Sequence, residues 1–421
     1  MSQRKQFKSE AFNKVFKSLY GPSADSAADR YAQIHDAFIK HYGEGEYRIF
    51  SAPGRSEIGG NHTDHNYGRV LTCAVSVDTV AFVRAREDKT VRLRSYGYDK
   101  EFIIDLNILQ AKEEDKGTTE ALIRGVADAM AKEGMPIVGF DAYVHSTVLS
   151  GSGLSSSAAF EVLVATILAG LTDRELDPIK RAIMSQYAEN VHFGKPSGLL
   201  DQMAASVGGL ITIDFKDPAN PVVKKVPFDL EDTNYRLVVV GTGGDHGDLI
   251  DQYAAIPKEM SEVATYFGVE KLREIDAERF YNELPKLKGK VCDRALLRAI
   301  HFYGDDARVV RQVEALERGD VQNFLDEVIA SGESSYKYLQ NIYAYETEQS
   351  ISLALAISER LLKGKGAWRV HGGGFAGTIL AFVPLDTLDA YTDCMNALFG
   401  EGAATVLSIR QQGPTEINVK E

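Results

Sequence analysis

The stretch Val148–Ala159, VLSGSGLSSSAA, joins two elements of opposite character and leaves few ways to fold the chain around it. Ahead of it, Phe140, Ala142, Val144 and Val148 alternate with Asp141, Tyr143 and His145, and a period of two predicts a half-buried strand. Behind it, Ala158–Leu171 is rich in Ala, Leu, Val and Ile and free of proline, which predicts a buried helix. Gly151 and Gly153 let the backbone turn tightly and approach a ligand. Ser155, Ser156 and Ser157 fall at the helix start, where the first N–H groups have no partner within the helix. Strand, Gly/Ser loop and helix N-terminus together make an anion site, with phosphate the natural guest. The bland alternative is a Gly/Ser linker with a serine cap. No Gly-x4-Gly-Lys-Ser/Thr occurs in the chain, and a dinucleotide or protein-kinase glycine loop needs a third glycine where Ser156 stands. The stretch reads as a phosphate loop of another kind.

At 421 residues the chain is long enough for two domains or one domain in two lobes. Its net charge of −13 argues against nucleic acid as a partner, because a phosphate backbone needs clustered Lys and Arg. An anionic ligand must therefore find local positive groups. Cys73, Cys292 and Cys394 are odd in number, far apart and set in apolar surroundings. That pattern predicts buried thiols in a reducing compartment, not disulfides or a zinc site. The N-terminal segment lacks the apolar run of a secretory signal, and no stretch approaches the ~18 apolar residues of a membrane span. A cytoplasmic protein is expected, with no membrane partner.

Two amphipathic helices, Ser9–Tyr20 and Ala27–Tyr42, are predicted by their spacing, then a strand over Tyr47–Ala52,. Ala52–Val70, APGRSEIGGNHTDHNYGRV, is polar and Gly-rich between apolar strands, the mark of a functional loop. It offers Arg55, Glu57, Asn61, His62, Asp64 and His65. His62, Asp64 and His65 lack the further ligand that zinc needs. The alternative is a hydrogen-bonding cluster for a polar small molecule, with Arg55 supplying positive charge for a phosphate. Strands over Leu71–Arg86 and Val91–Ser95 and a helix over Glu120–Lys132 follow. Asp177–Asn190 is helical, with Glu189 near its end. In Gly194–Gly209, GKPSGLLDQMAASVGG, Asp201 opens a helical run, either as a carboxylate favoured by the helix dipole or as a catalytic group. Strands over Leu210–Phe215 and Arg236–Gly241 and helices over Asp251–Gly268, Arg294–Leu316, Asp320–Ala330 and Ser350–Lys363 are predicted. His371–Val383, HGGGFAGTILAFV, sets three glycines before a β-type run. Close approach to a ligand or to the first Gly loop is the expected reason, a plain tight turn the alternative. Thr405–Arg410 reads as a closing strand. The mixed order of strands and helices predicts an α+β fold.

With these three stretches in view, the chain resembles the GHMP small-molecule kinases, and within them the galactokinase family, over nearly its whole length. PGRSEIGGNHTDHN is similar to that family's Pro-Gly-Arg-Val-Asn-Leu-Ile-Gly-Glu-His-Thr-Asp-Tyr-Asn, GSGLSSSAA to its second motif and GGGFAG to its third. Ser197-Gly198-Leu199-Leu200-Asp201-Gln202 resembles its Cys-Gly-Ile-Met-Asp-Gln, and Glu189, His246 and Tyr253 keep its spacing. The resemblance implies a two-lobed GHMP fold with mixed sheets and the active site between the lobes. Residues 1–200 would form an N-terminal lobe with the sugar and phosphate loops, and residues 201–421 a C-terminal lobe with GGGFAG. It implies ATP, Mg²⁺ and transfer of the γ-phosphoryl group to O1 of galactose. Kinases of N-acetylated or 6-deoxy galactose, and a non-catalytic regulator responsive to sugar and ATP, are the alternatives.

By position, Asp201 would be the base or orienter of the sugar hydroxyl, with Arg55 stabilising it and the transferring group. Ser157 and Glu189 would hold Mg²⁺. Gly151, Ser152, Gly153, Leu154, Ser155, Ser156, Ser157, Gly373 and Gly374 would surround the nucleotide phosphates. Arg55, Asn61, His62, Asp64, Gly198, Asp201 and Tyr253 would bind the sugar. Glu57 stands where the family has Asn, Asn61 where it has a sugar-binding Glu, and His65 where it has Tyr. Leu149 replaces a Pro, and His371 a Ser or Thr. Asn61 is thereby expected to hold the sugar's 6-hydroxyl end less tightly than a carboxylate does.

Overall fold

The computed structural model describes residues 6–148, 153–243, 249–375 and 377–418. In chain order its elements are α1 (Glu10–Tyr20), α2 (Ala24–Tyr42), β1 (Arg48–Gly59), β2 (Arg69–Ala85), β3 (Thr90–Ser95), β4 (Glu101–Asp105), α3 (Thr119–Lys132), β5 (Phe140–Ser146), α4 (Ser156–Leu171), α5 (Pro178–Tyr187), α6 (Leu200–Val207), β6 (Leu210–Asp214) and β7 (Val222–Lys225). There follow β8 (Tyr235–Gly241), α7 (Ile250–Tyr266), α8 (Ala277–Leu287), α9 (Asp293–Glu317), α10 (Val321–Ser334), α11 (Ser350–Leu362), β9 (Ala367–His371), β10 (Thr378–Pro384), α12 (Leu388–Phe399), β11 (Ala404–Leu407) and β12 (Thr415–Glu416).

β2 organises the first sheet. Its 17 residues pair with β1 along one edge, while β6 and then β5 share the other. The sheet runs β12-β1-β2-β5-β3-β4, with β6 off β2 and β7 paired to β6. It is mixed, because β3 and β5 are parallel. Helix α4 is apolar nearly all round, as a helix buried on every side must be. Its Val162, Leu163, Ile167 and Leu168 share one cluster with Ile123 and Val126 of α3 and with Phe50, Val83 and Ala142 of the sheet. The opposite face carries α1 and α2 through Phe16, Tyr31 and Phe38 against Phe82.

The second sheet, β11-β8-β10-β9, is antiparallel throughout. Alternate side chains of a strand face opposite ways. Val238 and Val240 of β8 meet Ile351 of α11 and Tyr391 and Met395 of α12. Leu237 and Val239 meet Leu71, Cys73 and Val75 of β2, with Val309 of α9 and Phe324 of α10 in the same cluster. The two sheets thus share a core. After the expected division at residue 200, α6, β6 and β7 still belong to the first sheet's side, and β12 returns to pair with Phe50 and Ser51. Arg410, fully buried, reaches the same place, its Nη1 donating to Ser51 Oγ at 2.7 Å and to Asp78 Oδ2 at 3.3 Å.

Three expectations change. The strand predicted to stop at Ala52 continues to Gly59, so Arg55 and Glu57 stand on β1 and not in a loop. Its apolar alternation is lost there because its polar side chains face a cavity. Pro53 is tolerated beside a register shift between Pro53 and Arg55,. The helix predicted to Asn190 ends at Tyr187 and widens into one π-helical turn, Ala188–Phe193. Of the three thiols expected to be buried, Cys73 is, Cys394 is partly so, and Cys292 is exposed at the start of α9. Among the described residues, no helix is long and apolar enough to cross a membrane.

Candidate active site

Arg55 rises from β1 and is buried; Asp201 lies in the first turn of α6. They form a bidentate ion pair, Arg55 Nε to Asp201 Oδ1 at 2.7 Å and Nη2 to Oδ2 at 3.0 Å, the geometry a planar guanidinium favours. Arg55 Nη1 also donates to the Gly153 carbonyl, and Ser155 Oγ to Asp201 Oδ2. Desolvation in the cleft pushes the Asp201 carboxyl upward, but the Arg55 charge and the hydrogen bonds from Arg55 and Ser155 outweigh it and hold it below the usual range,. Asp201 is therefore an ionised acceptor, with its side chain 35% exposed.

The serine loop reaches this pair by a strained path. Ser155 has φ 57° and Gly153 φ 73°, left-handed values that a serine seldom adopts. A Cβ on Gly153 would lie 2.5 Å from Thr378 Oγ1 and 2.9 Å from His371 Nδ1, so the loop rests directly on β9 and β10. The close approach expected between the two glycine loops is thus made to the strand ends that flank the glycine run, at His371 and Thr378. His371 is buried between Ser56 Oγ and Thr378 Oγ1, each 3.1 Å from a ring nitrogen. Ser157 lies in the first turn of α4, and its Oγ donates to Glu189 Oε1 at 3.0 Å. The π-helical turn carries Glu189. Lys195 Nζ reaches the same oxygen at 3.0 Å, and Ser197 Oγ and Gln202 Nε2 each reach Oε2 at 2.7 Å. Burial works against the Lys195 charge, but Glu189 beside it raises its pKa above the usual value.

The glycine run closes the opposite wall. His62 (φ 57°) places Nε2 3.0 Å from the Gly373 carbonyl; a carbonyl only accepts, so Nε2 carries the proton. Burial, then neighbouring His65, pushes the His62 pKa down to about 4. Tyr253 OH donates to the Gly374 carbonyl at 2.9 Å, and its ring meets Phe375 edge-on at 5.4 Å. A Cβ on Gly198 would lie 2.5 Å from Asp64 Oδ2, so that glycine makes room for the carboxylate.

Arg55, His62, Asp64, Gly153, Ser155, Ser156, Ser157, Glu189, Gly198, Asp201, Tyr253 and Gly373 all line one cavity of about 700 Å³. Three expected site residues do not. Leu154 is a core side chain whose carbonyl accepts from the Arg55 N–H at 3.1 Å. Gly374 stands behind Tyr253. Asn61 is fully buried and does not face the cavity, contrary to the sugar contact expected of it. Its Nδ2 donates to Glu57 Oε1 (2.9 Å) and the Gly372 carbonyl (2.8 Å), and its Oδ1 accepts from Asn341 Nδ2 (2.9 Å) and Ser335 Oγ (3.2 Å). Gly151, Ser152, Leu149 and His246 lie outside the described residues. Glu57, His65, Lys195, Ser197 and Gly372 also line the cavity. Of these, Lys195 had no signal in the sequence beyond standing six residues after Glu189 in a Gly/Pro/Ser turn. Among the described residues, no group of three His, Cys, Asp or Glu side chains is placed to hold a metal, so the zinc reading of His62, Asp64 and His65 has no support.

Residues 121–209 match the GHMP kinase N-terminal domain. The fold is that of the GHMP kinases: mevalonate kinase from Methanococcus jannaschii aligns with a TM-score of 0.63 at 16% identity, over 87% of this chain and 99% of that one. Within that class, residues 36–85 match the galactokinase galactose-binding signature. The structure of Lactococcus lactis galactokinase complexed with galactose aligns with a TM-score of 0.79 at 24% identity, over 92% of this chain and all of the other. Galactokinase from Streptomyces coelicolor is 32% identical over 370 residues, 87% of this chain and 92% of that protein. Galactokinase from Clostridium tetani is 30% identical over 361 residues, 85% and 90%. The chain belongs to the galactokinase family.

Proposed function

We propose that this protein transfers the γ-phosphoryl group of ATP to O1 of galactose. The carrying observation is the Arg55–Asp201 pair, open to a cavity that also receives the serine loop and the start of α4. Phosphoryl transfer asks chiefly for positioning and for neutralised charge. Asp201 accepts a hydrogen bond from the sugar hydroxyl, aims its oxygen at the phosphorus and takes the proton as the new O–P bond forms and the bond from the γ-phosphorus to the bridging oxygen breaks, releasing ADP. Arg55 keeps Asp201 ionised and brings positive charge to the transferring group. The N–H groups at the start of α4 and the serine hydroxyls cradle phosphate oxygens. His62, Asp64, Gly198 and Tyr253 border the sugar.

Ser157 Oγ and Glu189 Oε1, 3.0 Å apart on the cavity wall, are hard oxygen donors suited to Mg²⁺. Bound there, the ion would neutralise phosphate charge. Lys195 adds a cation at the same wall.

The test is ADP release in a coupled assay across free monosaccharides, including N-acetylgalactosamine and 6-deoxygalactose, with ³¹P NMR of the product. Galactose-dependent release with phosphorus on the anomeric oxygen is expected. Release with no preference for a galactose-configured sugar would overturn the reading.

A further inference from the structure

One carboxylate of the cavity has no role in the reaction proposed above. Glu57 is 7% exposed and lines the cavity from β1. Its Oε1 accepts from Asn61 Nδ2 at 2.9 Å and from Arg369 Nη2 at 2.8 Å, and no described residue donates to Oε2. A carboxylate oxygen that faces the cavity with no donor from the protein is free to accept one from a ligand,. Asn61 is in the opposite condition. An amide has two hydrogens to give and two lone pairs to offer, and all four are used within the protein. His301 and Asp305 fix its backbone as well, at 2.9 Å to the carbonyl and 2.8 Å to the N–H. It cannot bind a ligand without breaking this set.

We propose that Glu57, not Asn61, is the acidic side chain that selects the sugar, its Oε2 accepting a hydrogen bond from one hydroxyl of the hexose. Asn61 and the fully buried Arg369 act as positioning residues that hold Oε1 and turn Oε2 to the cavity. Arg55 and Glu57 lie two residues apart in a stretch where the register with β2 is unbroken. Their side chains therefore leave the same face of the strand about 6.5 Å apart. With its reacting hydroxyl at Asp201, a hexose ring brings a hydroxyl from its far side to Glu57. Compared with the family pattern, acid and amide have changed places, and the hydrogen bond between them keeps the acid aimed. This inference rests on the sugar-kinase reading.

The experiment measures kcat/KM for galactose and for its deoxy and deoxyfluoro analogues at positions 2, 3, 4 and 6. Galactose-dependent ADP release by the wild type tests the kinase reading; the pattern across analogues tests Glu57. A carboxylate cannot donate to fluorine, so at one position both replacements are expected to lower kcat/KM about tenfold or more. In Glu57→Gln that penalty shrinks to within about threefold while those at the other positions stay. Unchanged penalties at every position, or a uniform change across all of them, would overturn the proposal, the latter being what general loosening gives. If Glu57→Gln does not fold, Asp64→Asn decides. It removes the remaining cavity carboxylate on the sugar side once Asp201 is given to the reacting hydroxyl, so one position must keep its fluorine penalty; loss of every such penalty overturns the proposal.

Discussion

Arg55 and Asp201, 146 residues apart in the chain, meet with both carboxylate oxygens paired to one guanidinium, at 2.7 and 3.0 Å. The pair holds the carboxylate charged and fixed in direction. Asp201→Asn keeps the shape but loses the charge, and should lower kcat by ~10²-fold or more while ATP affinity and the melting temperature change little. Near-normal turnover by the folded variant would remove Asp201 from the reaction.

Glu189→Gln should raise the Mg²⁺ concentration for half-maximal rate, with turnover recovering in part at high Mg²⁺. Ser157→Ala should act in the same direction, since its hydroxyl faces the same oxygen. A Mg²⁺ titration that does not move in either variant would make the carboxylate a purely structural partner of Lys195, Ser197 and Gln202.

His62 should stay neutral well below the ordinary histidine range. Its folded pKa, about 4, lies below the unfolded value of about 6.5. The unfolded chain therefore binds the extra proton, and this histidine's contribution to stability falls as pH drops between those values. Its ring resonances in an NMR titration should hold still from pH 8 to 5.5. A midpoint near 6.5 would show that the imidazole is not shielded by the glycine run.

Gly374→Ala and Gly372→Ala form a matched pair. Both glycines have positive φ, 82° and 64°, and alanine there costs about 1–2 kcal/mol of backbone strain. A Cβ on Gly372 meets nothing within 4 Å, whereas one on Gly374 would lie 1.9 Å from the Asn341 carbonyl oxygen. Urea denaturation should show Gly374→Ala clearly the less stable. Equal midpoints would mean that the Asn341 segment moves aside freely.

The junction of strand, Gly/Ser loop and apolar helix was legible because the periodicity changes from two to that of a helix across it,. That Arg55, Glu189 and Asp201 come together in one cavity was expected from motif for Arg55 and Asp201 and from spacing for Glu189, though Arg55 was not read as a strand residue. β1 past Ala52 is polar because it faces a cavity, and a polar run reads as a loop. The burial of Asn61 was not legible, for a different reason. Apart from Glu57, its side-chain partners, Ser335, Asn341 and Gly372, stand between 274 and 311 positions away, and nothing local tells a buried, saturated amide from one that awaits a ligand. Lys195 shows the converse, since a lysine in a Gly/Pro/Ser turn looks like solvent-facing surface until Glu189 is placed beside it.

Arg410 reaches back 359 positions to Ser51, and β12 lies against the same strand. On the ribosome, the strand destined to carry Arg55 and Glu57 must wait for nearly the whole chain to emerge before its outer side is covered. An uncovered strand edge captures other chains, and contacts so distant in sequence form slowly. The segment that carries Arg55 and Glu57 is thus one that a nascent-chain chaperone has cause to guard, and clipping residues 409–417 would uncover it without removing any residue that lines the cavity.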